Sequence, residues 1–79
     1  MPAMVYFLRR GEERLTCETR LSPGGAGYEI EVLTGLDSHV ERFHTIEQVL
    51  SREHELLAAW RALGWAEVGG YSPVHAAEA

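Results

Sequence analysis

The chain has 79 residues, with twelve Asp plus Glu against seven arginines and no lysine, a net charge of −5. A chain this short makes one domain and buries only about 60% of the surface that its unfolded form exposes. The acidic balance disfavours nucleic acid, whose binding domains are usually net basic. A lone cysteine excludes a disulfide within the chain, no apolar run approaches the roughly 18 residues of a membrane span, and no charged-then-apolar leader opens the chain. The expectation is a cytoplasmic protein with no membrane association.

Residues 4–9 (MVYFLR) are apolar and aromatic and read as a first strand. Arg10-Gly11-Glu12-Glu13 follows, with glycine at the first central position of a two-residue turn, the pattern of a type II′ hairpin. Residues 14–21 alternate, with Leu15, Cys17, Thr19 and Leu21 on one side and Arg14, Thr16, Glu18 and Arg20 on the other. The Ser22–Gly27 stretch is a loop by composition. Residues 28–34 alternate again and turn Tyr28, Ile30 and Val32 inward. Residues 35–38 read as a third turn, and 39–44 as a short fourth strand.

Residues 45–65 (TIEQVLSREHELLAAWRALGW) are an amphipathic helix with its own start and stop. Thr45 with Gln48 is a capping-box pair, and Gly64 followed by Trp65 marks a left-handed stop. Ile46, Val49, Leu50, Leu56, Leu57, Trp60 and Leu63 form its apolar stripe. The expected fold class is α+β: a four-stranded antiparallel meander sheet with one C-terminal helix packed on one face (ββββα). This single domain covers residues 1–65, and residues 66–79 read as a flexible C-terminal tail.

Turn lengths set a register. Pairing Arg10 with Glu13, Leu21 with Tyr28 and Thr34 with His39 places Met4, Tyr6, Leu8, Leu15, Cys17, Leu21, Tyr28, Ile30, Val32 and Phe43 on the inner face. The opposite face then carries the charged pairs Arg20–Glu29 and Glu31–Arg42, together with a row of Phe7, Thr16, Leu33 and Val40 flanked by Val5. One helix covers one face, so this row is a candidate contact surface, the alternative being that the C-terminal tail covers Leu33 and Val40. Small domains commonly gain stability from a partner subunit, and a homodimer is the expected state.

Residues with chemical potential are few. Glu53 falls in the middle of the helix's apolar stripe, where a lone carboxylate is costly. The expected resolution is that Ser51 bends the helix and turns Glu53 to the rim, or that neighbouring arginines neutralise it. His39, Glu41 and Glu53 are the candidates for a ligand or acid–base cluster near the open edge, while His44 points to the other face. No HxH, HxxxH or CxxC spacing suggests a metal site, no motif implies a cofactor, and Cys17 reads as a small core residue. The leading expectation is therefore a non-catalytic interaction module that self-associates through its open sheet face or edge. The rivals are a single-strand nucleic-acid binder using Phe7 with Arg9, Arg14 and Arg20, and a small ligand-binding or enzymatic domain using His39, Glu41 and Glu53.

Overall fold

Two tight hairpins and one longer loop lay the first four strands side by side, and the chain then crosses the sheet as a helix. The computed structural model describes residues 4–71. Its elements are β1 (Met4–Arg10), β2 (Glu13–Leu21), β3 (Tyr28–Thr34), β4 (Asp37–Phe43), α1 (Ile46–Ala62) and β5 (Ala66–Tyr71). Together they form an α+β fold, an antiparallel sheet in the order β4-β3-β2-β1-β5 with α1 on one face. The ββββα order holds through the helix. The sheet then gains a fifth strand from residues 66–71, placed by the sequence pattern in a tail. Residues 72–79 of that tail lie outside the described residues.

The first two registers are those the turn lengths require: Arg10 pairs with Glu13 and Tyr6 with Cys17, then Leu21 with Tyr28 and Cys17 with Val32. The third is tighter than the composition suggested. Thr34 pairs with Asp37, not His39, because only Gly35 and Leu36 form the turn. Gly35 has a φ of 58°, which a II′ turn demands at its first central position, and Asp37 and Ser38 are thereby released into β4. The correction is a shift of two residues, so pleat parity survives and Phe43 still faces the helix, now opposite Tyr28.

Leu8, Leu15, Cys17, Ile30, Val49, Leu57 and Trp65 are buried together between sheet and helix, with Tyr6, Tyr28, Val32, Phe43, Ile46, Leu56 and Trp60 packed around them. Leu21, Leu50 and Leu63, expected inside, are exposed at the margins of this layer. The capping box at Thr45 and Gln48 is formed. At the other end Trp65 N donates to Trp60 O and Gly64 N to Arg61 O, the paired bonds of a Schellman stop. Arg10 fastens this end to β1: its Nη1 donates to Leu63 O at 3.2 Å and its guanidinium stacks 4.8 Å from the centre of the Trp65 ring. An ion pair between Arg61 and Glu67 ties the helix to β5 as well.

Gly27 enters β3 where β4 ends, and a Cβ added there would stand 2.5 Å from Phe43 O. Gly27→Ala should therefore lower the unfolding free energy by about 2 kcal/mol or more, because the obstruction is backbone and cannot swing aside. A denaturant midpoint unchanged from wild type would mean that the β3–β4 junction is looser than this.

Candidate functional site

The face of the sheet turned away from α1 is built from alternate residues of each strand. One row across it runs Phe7–Thr16–Leu33–Ser38, and the next runs Val5–Glu18–Glu31–Val40. The two-residue β3–β4 turn moves Val40 from beside Leu33, where the expected row had it, to the diagonal position beside Glu31. Val5, Phe7, Thr16 and Leu33 keep their places, and all five lie opposite the buried layer. Phe7, Leu33 and Val40 are 36%, 42% and 37% exposed, and Val5 and Thr16 are half-buried by their strand neighbours.

Charge divides this face along the strands. At the end nearest the β1–β2 turn, Arg9 and Arg14 pair across β1 and β2, and both are exposed. At the far end Arg20 Nε donates to Glu29 Oε1 at 2.9 Å, while its Nη1 donates to Glu31 Oε1 at 2.9 Å and to Glu18 Oε1. Burial opposes the Arg20 charge, but hydrogen bonds to the Glu31, Glu18 and Glu29 carboxylates hold its pKa above the ordinary value. Glu31 is held below the usual carboxylate range by the Ser38 hydroxyl and then by Arg20. Glu29 is buried beneath this network; its Oε2 faces Arg42 Nε at 3.4 Å without a hydrogen bond. One end of the face is thus positive, the middle apolar, and the other end carries three carboxylates on two arginines.

The second candidate set does not assemble as one cluster. His39 Nε2 lies 3.5 Å from Glu41 Oε2, and Glu41 receives Arg52 Nε at 3.0 Å and Arg52 Nη2 at 3.2 Å. These bonds lower the Glu41 pKa. Glu53 lies elsewhere, 8% exposed between α1 and the sheet, and shares no hydrogen bond or ion pair with either. The groove between β4 and α1, about 630 Å³, is lined by Arg42, Phe43, His44, Gln48, Ser51 and Arg52, among others, and by none of the three. Among the described residues no group of three or more His, Cys, Asp or Glu is arranged to hold a metal ion.

Glu53 corrects the expectation that it would turn to the rim. α1 runs unbroken through Ser51, so the helical wheel holds and the carboxylate faces the sheet. No arginine neutralises it; instead Tyr6 Oη donates to Oε1 at 3.1 Å and Thr19 Oγ1 to Oε2 at 2.7 Å. Thr19 and Tyr6 are the partners that the sequence pattern left unassigned. The available signal was a hydroxyl at Thr19 on the apolar side of β2, opposite Ile30. Burial and then the nearby Glu53 charge push both the Tyr6 hydroxyl and the Cys17 thiol up to about 12. Cys17 is fully buried as well, so it packs as a small core side chain and is shielded from reagents.

Comparison with family models, curated proteins and solved structures finds no match to this chain. No helix among the described residues is long and apolar enough to cross a membrane.

Two outcomes test the buried carboxylate. Thr19→Val should cost about 1–3 kcal/mol by leaving Glu53 Oε2 without its donor, whereas Thr19→Val with Glu53→Leu should recover most of that loss in denaturant unfolding. The second concerns alkaline pH. A Tyr6 pKa raised from 10.0 to about 12 contributes stability that is full below pH 10 and is lost as pH climbs towards 12. Cys17 adds a similar loss starting from about pH 9. Tyr6→Phe should accordingly lose less stability than wild type between pH 10 and 12; equal losses would show that this hydroxyl is not tied to the carboxylate.

Proposed function

We propose that this protein is a small non-catalytic association module whose open sheet face docks against a second copy of itself. The observation that carries this reading is the strand register, which gathers Val5, Phe7, Thr16, Leu33 and Val40 on the face that α1 does not reach. Apolar side chains on a sheet face that the helix does not cover favour burial against another surface. Burying about 300 Å² of apolar area there would contribute about 7 kcal/mol per subunit before association costs. Those costs run from about 4 to 15 kcal/mol, so the expected product is a reversible dimer rather than an obligate one.

The face is favoured over the β4 edge by the chemistry of that strand. Asp37, His39, Glu41 and Arg42 decorate this outermost strand, and charge along an edge opposes pairing with another chain. The single-strand nucleic-acid alternative gains little, because three carboxylates already occupy Arg20 and leave Arg9 and Arg14 as the cations beside Phe7. Enzymatic use of His39, Glu41 and Glu53 would need the three in one cavity, and Glu53 is enclosed with Tyr6 and Thr19 instead.

Sedimentation equilibrium across the micromolar range decides the matter. Wild type should show a reversible monomer–dimer equilibrium, and Leu33→Glu should be monomeric throughout while keeping its helix and sheet content by circular dichroism. A monomeric wild type removes the proposal.

A further inference from the structure

We infer that the two copies pack with their strands antiparallel across the interface, about a two-fold axis running across the strands through the row Phe7–Thr16–Leu33–Ser38, so that Arg14 of each subunit stands over Glu18 of the partner subunit. This rests on the self-association proposed above and adds its geometry. The inference starts from the position of β2, the central strand of the five, which carries Arg14, Thr16, Glu18 and Arg20 in succession on the open face.

Two sheets that dock face to face by a two-fold rotation have that axis in the plane between them. Sheets packed with aligned strands leave two choices. An axis along β2 sets each residue of β2 against its own copy, so Arg14 meets Arg14 and Glu18 meets Glu18. An axis across the strands at Thr16 sets Arg14 against Glu18 on one side and Glu18 against Arg14 on the other. Like charges apposed at the centre of an interface cost affinity, while opposite ones there are partly desolvated and attract more strongly than at the rim. The row on the axis meets its own copy, which places Leu33 against Leu33, apolar against apolar.

Both partners have capacity for this contact. Arg14 is exposed, and among the described residues it makes no hydrogen bond or ion pair. Glu18 gives Oε1 to Arg20 and keeps its side chain 36% exposed. Arg14 stands two residues from the axis, about 7 Å, so the roughly 30° twist between packed sheets displaces it by about 3.5 Å, within the reach of an arginine. On β1, Arg9 would lie over Val5 of the partner subunit, where its alkyl stem can cover the valine.

Charge reversal tests the arrangement, read by sedimentation and by native mass spectrometry with one variant carrying a mass tag. Arg14→Glu alone and Glu18→Arg alone should each weaken dimerisation about tenfold or more, because each puts like charges together twice. Their equimolar mixture should form a heterodimer close to wild-type affinity, since both central contacts are then opposite in sign. Should Glu18→Arg disturb folding through Arg20, Glu18→Gln takes its place, and its heterodimer with Arg14→Glu should still be favoured over the Arg14→Glu homodimer. If the wild type dimerises and Leu33→Glu does not, yet neither mixture prefers the heterodimer, the antiparallel register is overturned and the docking face stands. A monomeric wild type overturns both.

Discussion

A sheet has two faces and the described residues supply one helix to cover them, a constraint from which most of the surface chemistry follows. Five strands at about 4.8 Å spacing make a sheet roughly as wide as it is long, while a helix covers a strip about 10 Å across. The chain answers by running α1 across the inner face and using large side chains, Trp60 and Trp65 among them, to fill what the helix itself does not span. Among the described residues no helix lies on the outer face. Its apolar residues cannot be moved inward, because their parity is tied to that of Leu8, Leu15 and Ile30, and a one-residue slip would expose the core to bury them.

Glu53 shows how the inner layer is kept in one arrangement. A carboxylate at that point in the apolar stripe is costly to bury, and an isosteric hydrocarbon would cost less. Its two oxygens are nevertheless both satisfied, by hydroxyls from two different strands, so α1 is fixed in rotation and in height against β1 and β2 at once. Hydrophobic contact alone is tolerant of sliding; two directed hydrogen bonds are not. Burial, and after it the Glu53 charge, keeps the neighbouring Tyr6 and Cys17 protonated, so the layer holds a reactive residue type in an unreactive form.

Local signals in the sequence were reliable where the physics is local. The Thr45–Gln48 capping box, the Gly64–Trp65 stop and the Gly11 turn each depend on residues within one turn of one another, and each forms as its pattern requires. The β3–β4 turn went differently, because Asp37 and Ser38 favour turns by composition, whereas Gly35 alone suffices for a tighter one and two more ladder pairs are gained. β5 was not legible at all: Gly69 and Gly70 are poor strand formers, and the segment is held by pairing with β1, contacts 57 to 66 residues apart along the chain. The fate of Glu53 was hidden for a related reason. The wheel located it correctly, but the hydroxyls that make its burial tolerable sit on β1 and β2, and their convergence is a property of the packed layers.

The charges on the outer face make sense as a selection among packings rather than as a source of affinity. Arg20 gathers Glu18, Glu29 and Glu31, so the carboxylate-rich end has part of its charge compensated within the chain. What is left uncompensated is a gradient from Arg9 and Arg14 to that end, with an apolar band between. An apolar band alone would accept either aligned packing, since its residues are chemically alike in both orientations. A gradient is not symmetric under reversal along the strand, and it penalises the packing that superposes equal ends while leaving the other unopposed. In the dimer proposed above, the apolar row would supply the tendency to associate and the flanking charges would choose its direction, much as one polar position in a coiled coil sets register at some expense in stability. Replacing the charges with apolar groups would tighten contact and lose that choice.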